Sequence, residues 1–192
     1  RPAVQDYHGA NTYIDVEKSL ASLLSQSATI FHTTQFAVFL GSVAVVLSRY
    51  SGQEQIVLGI TIANRNRVET ESMIGFLVNT VAICIDMSGN PNFYDVMNQV
   101  RRKLLDIHDH QQVPFERVVE CIRPERSLAY SPIFQVLVTS IDQFENNDVI
   151  DNLNPDWIDT IVDKGIGISK FDLSLTLQSR RGDLRFILEY AT

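Results

Sequence analysis

The spacing of apolar residues divides the chain into alternating helical and extended stretches. Val16, Leu20, Leu23 and Leu24 recur at helical spacing behind Asp15, a residue type that caps helix N-termini, and predict a short helix over 16–24. Thr29 stands as the cap of a second helix reaching Tyr50. Its Phe36, Phe39, Leu40, Val43, Val46 and Leu47 cover so much of the circumference that both sides must be packed. Ser51-Gly52-Gln53 turns the chain into residues 55–62, a β-branched apolar run with polar flanks, and residues 77–85 form a second such run, so both predict interior strands. Asn92 with Asp95 resembles a capping pair, behind which Phe93, Val96, Met97, Val100, Leu104 and Ile107 repeat with the period of an amphipathic helix. Pro114 at a first helical turn, followed by Phe115, Val118, Val119 and Ile122, starts another helix that Pro124 ends. Residues 133–139 predict a strand, and 171–177 with 184–190 predict a hairpin around Ser179–Asp183. The stretch from Ser140 to Lys164 keeps neither period and sets seven carboxylates against Lys164 alone, an acidic, solvated excursion of a length that is usually functional.

Composition narrows the classes. A chain of 192 residues with 45% hydrophobic and 20% charged residues can bury the core of one α/β domain. With 16 Lys and Arg against 23 Asp and Glu, the net charge of -7 offers no basic footprint for nucleic acid or an anionic membrane, so neither is expected as a partner. The most apolar stretch, Phe36 to Leu47, is too short to span a bilayer and reads as a buried helix. Cys84 and Cys121 sit in apolar-periodic segments without CxxC spacing, which predicts buried thiols in a reducing compartment, the cytoplasm. Residues 1–6 lack the apolar core of a secretory signal. A chain that opens at Arg1 and stops at Thr192, directly behind a strand-like run, reads as a piece of a larger polypeptide.

Chemistry is not announced by motif. HExxH, GxSxG, Walker-type and GxGxxG patterns are absent from the sequence. His8 and His32 stand alone, and His108 and His110 bracket Asp109 at a spacing that turns their rings about 200° apart on a helix, too far to chelate one ion. No metal site and no catalytic residue is therefore assigned. Asn64-Arg65-Asn66-Arg67, directly behind an apolar strand, is either a ligand-facing loop or a solvated turn. Asn79-Thr80 is sharper: an amide inside an apolar run needs a partner if buried. The cluster Arg123–Ser127 either binds an acidic partner or terminates a helix.

Three blocks carry a resemblance. Met73-Ile74-Gly75-Phe76-Leu77-Val78-Asn79-Thr80 resembles the "GFFVNT" signature of condensation domains of nonribosomal peptide synthetases. His110-Gln111-Gln112-Val113-Pro114-Phe115-Glu116 resembles their "HQDxPFE" block, with Gln112 where Asp is usual, and Arg126-Ser127-Leu128-Ala129-Tyr130-Ser131-Pro132-Ile133-Phe134-Gln135 resembles their "RSxSxSPLFQ" block. Order and spacing also agree, and the likeness extends over nearly the whole chain.

What the resemblance implies is a chloramphenicol-acetyltransferase-like sandwich of a mixed β-sheet with helices, one lobe of a two-lobed domain whose active site lies in a tunnel between the lobes. Residues 13–192 would be the C-terminal lobe, truncated at its end, and residues 1–12 the tail of the inter-lobe connection. The family's "HHxxxDG" motif belongs to the other lobe, and this sequence contains no His-His pair. The implied activity is amide formation between a carrier-bound donor acyl or peptidyl thioester and a carrier-bound acceptor amine, with this lobe inactive alone. The implied lining of the tunnel is Asn79, Thr80, Asn64, Arg65 and Ser131, with residues 64–73 helping to close its floor. No cofactor binds directly; the 4'-phosphopantetheine arms belong to partner carrier proteins. Further implied partners are the N-terminal lobe and an adjacent adenylation domain. The alternative is the lobe of an epimerization domain, or of a non-catalytic condensation-like domain that recruits carrier proteins or tailoring enzymes.

Overall fold

The computed structural model describes residues 2–65, 68–142, 167–180 and 183–192. Eleven elements follow one another: β1 Gly9–Val16, α1 Lys18–Ile30, α2 Gln35–Ser51, β2 Gln55–Ile62, α3 Val68–Glu71, β3 Asn79–Asp86, α4 Phe93–His110, α5 Phe115–Ile122, β4 Val136–Asp142, β5 Leu173–Arg180 and β6 Asp183–Ala191. The strands form one mixed sheet in the order β1-β6-β5-β4-β2-β3. β4 runs parallel to β2 on one side and to β5 on the other, and the remaining neighbours are antiparallel.

The core lies where α2 and α4 pack on one face of this sheet. Leu58 and Ile60 alternate inward from β2, with Ile83 and Ile85 beside them, Val138 on β4, and Val96, Met97 and Val100 on α4. α2 meets them through Ala37, Leu40 and Ala44, all fully buried. Its Gly41 lets α4 come close, because a β-carbon there would stand 2.9 Å from Met97 Sδ. The central buried helix foreseen over 29–50 is thus real, but its start is not Thr29. α1 runs on to Ile30 and ends in a Schellman motif: the His32 N–H donates to Thr29 O at 3.1 Å and the Thr33 N–H to Ala28 O at 2.9 Å, with His32 left-handed at φ 51°. Thr34 then caps α2, its Oγ1 accepting from the Ala37 N–H at 3.1 Å. A histidine in place of the usual glycine hid this break.

Asp15 does not cap α1 either. It sits in β1, where it bonds the Arg185 Nε–H of β6 at 2.7 Å, and the N-cap is Glu17. The run over 77–85 folds as β3 only from Asn79, and at the edge of the sheet, so the expectation of an interior strand fails there. The later helix signals hold. The Asn92 side chain accepts from the Asp95 N–H at 3.0 Å at the start of α4. Pro114 is the N-cap of α5, and Arg123, left-handed at φ 49°, closes that helix with its N–H on Val119 O at 2.9 Å, the helix-terminating alternative for this segment. β4 begins three residues later than its apolar run and continues to Asp142. The rest of the acidic excursion, from residue 143 to Lys164, lies outside the described residues. Cys84 is half-buried, with its thiol on Gln55 Oε1 at 3.2 Å, whereas Cys121 is exposed on α5, so the expectation of two buried thiols fails for Cys121. Its short amphipathic helix turns that position outward. Among the described residues no single helix is long and apolar enough to cross a membrane, and the apolar pair α1 and α2 is bent by 101°.

Candidate functional site

The segments that the three sequence blocks occupy converge. β3 begins at Asn79, α5 begins behind Pro114, and the turn 131–134 leads into β4; a cleft of about 530 Å³ opens between them. Its apolar walls include Leu77, Pro114, Phe115, Pro132, Phe134 and Phe171. Its polar groups are Asn64, Asn79, Thr80, Gln112, Glu116 and Ser131. Glu116 is the one titratable side chain among the described residues that line it.

Each wall is placed by an identifiable device. The Asn79 amide donates to Gln111 O at 2.8 Å and to Val113 O at 2.9 Å, and its Oδ1 accepts the Thr80 N–H at 2.9 Å. Asn79 therefore ties the first residue of β3 to the α4–α5 loop, and the partner that a half-buried amide requires is backbone. Gln111, buried behind it, donates from Nε2 to His108 O at 2.7 Å. On the neighbouring strands the hydroxyls of Thr61 and Thr139 bond each other across β2 and β4. Phe134 is held between Phe115, with centroids 5.4 Å apart, and Phe171, stacked at 5.3 Å.

Four of the five residues singled out from the sequence, Asn64, Asn79, Thr80 and Ser131, meet at this cleft. Arg65 turns away from it: its guanidinium donates to Thr70 O, to Met73 O at 2.8 Å and to Glu71 O at 3.4 Å, which binds the carbonyl end of α3 into a compact loop. Sequence reasoning missed Phe171 as a site residue, since it precedes β5 and carries no motif, and it named Phe115 only as a helix and block residue and Phe134 only within a block. The histidines stay apart from the cleft. His110 Nδ1 donates to Asp106 O at 2.8 Å, His108 Nδ1 lies 3.1 Å from Gln111 Nε2, and His8 pairs with Asp6 at 3.1 Å on the surface. No cluster of three or more metal-ligating side chains occurs among the described residues. The site can bind, orient and exclude water; the described lining presents no histidine or thiol for proton transfer or nucleophilic attack.

Comparison with known proteins places these features. The family model described as "Condensation domain" matches residues 1–192. Malpibaldin synthetase of Mortierella alpina is 36% identical over 192 residues, which is 100% of this chain and 3% of that protein. Tyrocidine synthase 2 of Brevibacillus parabrevis is 32% identical over 198 aligned positions, 100% of this chain and 5% of that protein. The chain thus spans a small fraction of the curated relatives it matches. Among solved structures, a four-domain nonribosomal peptide synthetase bound to AMP and glycine superposes with a TM-score of 0.84 at 25% identity, over 99% of this chain and 15% of that one. The X-domain from teicoplanin biosynthesis superposes with a TM-score of 0.83 at 21% identity, over 100% of this chain and 43% of that one, a likeness of fold.

Proposed function

The chain belongs to the condensation-domain family, with the chloramphenicol-acetyltransferase-like α/β fold, and from that membership we propose that residues 13–192 are the C-terminal lobe of an amide-forming condensation domain of a nonribosomal peptide synthetase. Residues 1–12 lead into it from an N-terminal lobe, and Gly9–Thr12 already belong to β1. The observation that carries the reading is the convergence of the three family blocks on one cleft in a chain matched from end to end.

In this reading the donor is an acyl or peptidyl thioester and the acceptor an aminoacyl amine, each on the 4'-phosphopantetheine arm of a carrier protein. The acceptor nitrogen attacks the donor carbonyl, the thiolate of the donor arm leaves, and the amine proton goes to a group outside this lobe. This chain contributes walls and hydrogen bonds that hold two thioester-borne groups in attacking geometry, an effect worth up to about 7–11 kcal/mol of barrier in well-oriented systems. Thr80, Gln112 and Ser131 offer hydrogen-bonding groups beside the apolar Pro114 and Pro132, a mixture suited to the amides and methyl groups of such an arm. The partners are the N-terminal lobe, the carrier proteins and an adjacent adenylation domain. The setting in this reading is the cytoplasm.

The reading is tested by mixing carrier proteins loaded with donor and acceptor with the complete two-lobed domain and, separately, with the 192-residue chain. The complete domain forms dipeptidyl product and the chain alone forms none above a carrier-only blank. Product from the chain alone overturns the division of roles. A second reading is a lobe that recruits other proteins without catalysis; an X-domain of the same fold is solved in complex with OxyB from teicoplanin biosynthesis. A degenerate HHxxxDG motif in the N-terminal lobe, with no product from the complete domain, would select it.

A further inference from the structure

The connection that leads into β1 is held more firmly than the start of a strand requires. Pairing of β1 with β6 begins at Gly9, yet residues 5–9 are also bonded to residues 128, 167–170 and 192. The Gln5 N–H donates to Leu128 O at 2.8 Å, and its side-chain Nε2–H donates to Lys170 O at 3.0 Å. The Ser169 N–H donates to Tyr7 O at 2.9 Å, the Gly9 N–H to Gly167 O at 3.1 Å, and the Thr192 N–H to His8 O at 3.1 Å. Tyr7 is left-handed at φ 63°, and Asp6 Oδ1 accepts the His8 N–H at 3.0 Å across it. A tyrosine in that conformation is strained, and such strain persists where the surroundings over-determine the backbone. The approach is close as well: a β-carbon on Gly9 would stand 2.5 Å from Ser169 Cβ and 2.7 Å from Ser169 N, and Ser169 is fully buried.

Both segments that Gln5 joins run into the cleft. Leu128 stands shortly before Ser131, and Lys170 directly precedes Phe171; Ser131 and Phe171 line the cleft. The same two lead-ins meet each other, since the Asp172 N–H donates to Gln135 O at 3.1 Å and the Gln135 Nε2–H to Ser131 O at 3.1 Å. We propose that Gln5 is a positioning residue for amide formation, clipping the connection from the N-terminal lobe onto both lead-ins so that the placement of that lobe sets the Ser131 and Phe171 side of the cleft. The inference rests on the amide-forming reading above, in which residues 1–12 arrive from the N-terminal lobe. Gln5 is the first of the tied residues along the chain, so a displacement arriving from that lobe reaches its two bonds before it reaches β1. Gln5 is not itself among the residues that line the cleft and acts through the two segments it holds. A shift of about 1 Å in groups that orient a substrate can slow a reaction by up to about a hundredfold, even when its cause lies far from the chemistry.

The test uses the complete two-lobed domain with its own carrier proteins. Gln5→Met keeps the backbone N–H and the length of the side chain and removes the donor to Lys170 O. Hydrogen exchange should quicken at the Ser169 and Asp172 amides, while the buried Val100 in α4 keeps its protection. With carrier-borne donor and acceptor, kcat counted per folded molecule should fall about tenfold, with KM within about twofold of the wild type. The melting temperature should fall by no more than about 4 °C, the share of one hydrogen bond. A purely structural role would instead lower the folded fraction and leave kcat per folded molecule unchanged. Wild-type exchange at Ser169 and Asp172, or wild-type kcat, in folded Gln5→Met overturns the clip while the amide-forming reading stands. If the wild-type domain forms no amide, that reading falls; exchange alone then decides whether Gln5 holds the two lead-ins, and unchanged exchange overturns it.

Discussion

The ring of Phe134 fills the space in which a β-carbon on Gly59 would sit, with Cε2 2.2 Å from that position. Leu58 and Ile60 on either side of Gly59 point into the core beneath α2 and α4. Gly59 therefore offers bare backbone on the opposite face of β2, and a large ring lies flat on it. A glycine inside a strand weakens that strand; here its lost contacts are replaced by a buried phenylalanine that also braces the cleft.

Gly59→Ala in the complete domain is expected to destabilise it by roughly 1–3 kcal/mol through overpacking, and to lower amide formation by displacing the wall that Phe134 supports. Urea unfolding measures the first effect. A midpoint equal to that of the wild type would show that the ring can move aside.

Asn79→Ala removes the donors from Gln111 O and Val113 O and should cost about 1–3 kcal/mol. Asn79→Asp should cost more, because a carboxylate then faces two carbonyl oxygens. The expected order of melting temperatures is wild type, Ala, Asp, with amide formation falling alongside, since the loop that carries Gln112 is released. A domain carrying Asn79→Asp that melts with the wild type contradicts the tie.

His32→Gly should stabilise the domain. His32 holds the left-handed position of the motif that ends α1, at φ 51°, where a side chain costs about 1 kcal/mol that glycine does not. The denaturant midpoint should rise without loss of amide formation. A fall would mean that the imidazole makes a compensating contact.

Asp86 carries a pH signature. The Ser88 hydroxyl and the Ser88 N–H, at 2.9 Å, hold its carboxyl below the ordinary 3.8. A lowered folded value contributes stability that is present above the unfolded value and lost as pH falls through the folded one, so the effect appears only in acid, below about pH 4. Carbon-detected titration of the Asp86 carboxyl should give a midpoint under 3.8 in the wild type and one closer to 3.8 in Ser88→Ala. Identical midpoints would remove the serine hydroxyl as a cause and leave the backbone N–H.

How far such features could be read in advance depends on where their partners lie. α4 was legible because its signals are local: a capping pair at Asn92 and Asp95 and an apolar repeat within one helix. The bounds of β2 coincide with its apolar run for the same reason, since it is an interior strand flanked by turn residues. β1 was not legible. Residues 9–16 include polar positions and an exposed Ile14, and the strand exists because β6 pairs with it, Asp15 meeting Arg185 across 170 residues of chain.

At the site, the three blocks could be recognised from their letters and led to Asn79, Thr80 and Ser131, while Asn64 was legible from its place directly behind an apolar strand. The letters did not say that Asn79 would spend its amide on a loop 32 and 34 residues away, or that Arg65 would close α3. They also gave no hint of Phe171, which reaches the wall only because the chain returns to place β5 beside β4.

The sequence by itself therefore determined most of the periodic elements, the cap of α4 and the family, since each rests on residues within a few turns of one another. Tertiary structure alone decided which polar side chains face the cleft, that β1 closes one edge of the sheet, and that Cys121 faces solvent. Those outcomes follow from burial and hydrogen-bond partners supplied by distant segments, and no local pattern encodes which distant segment will arrive.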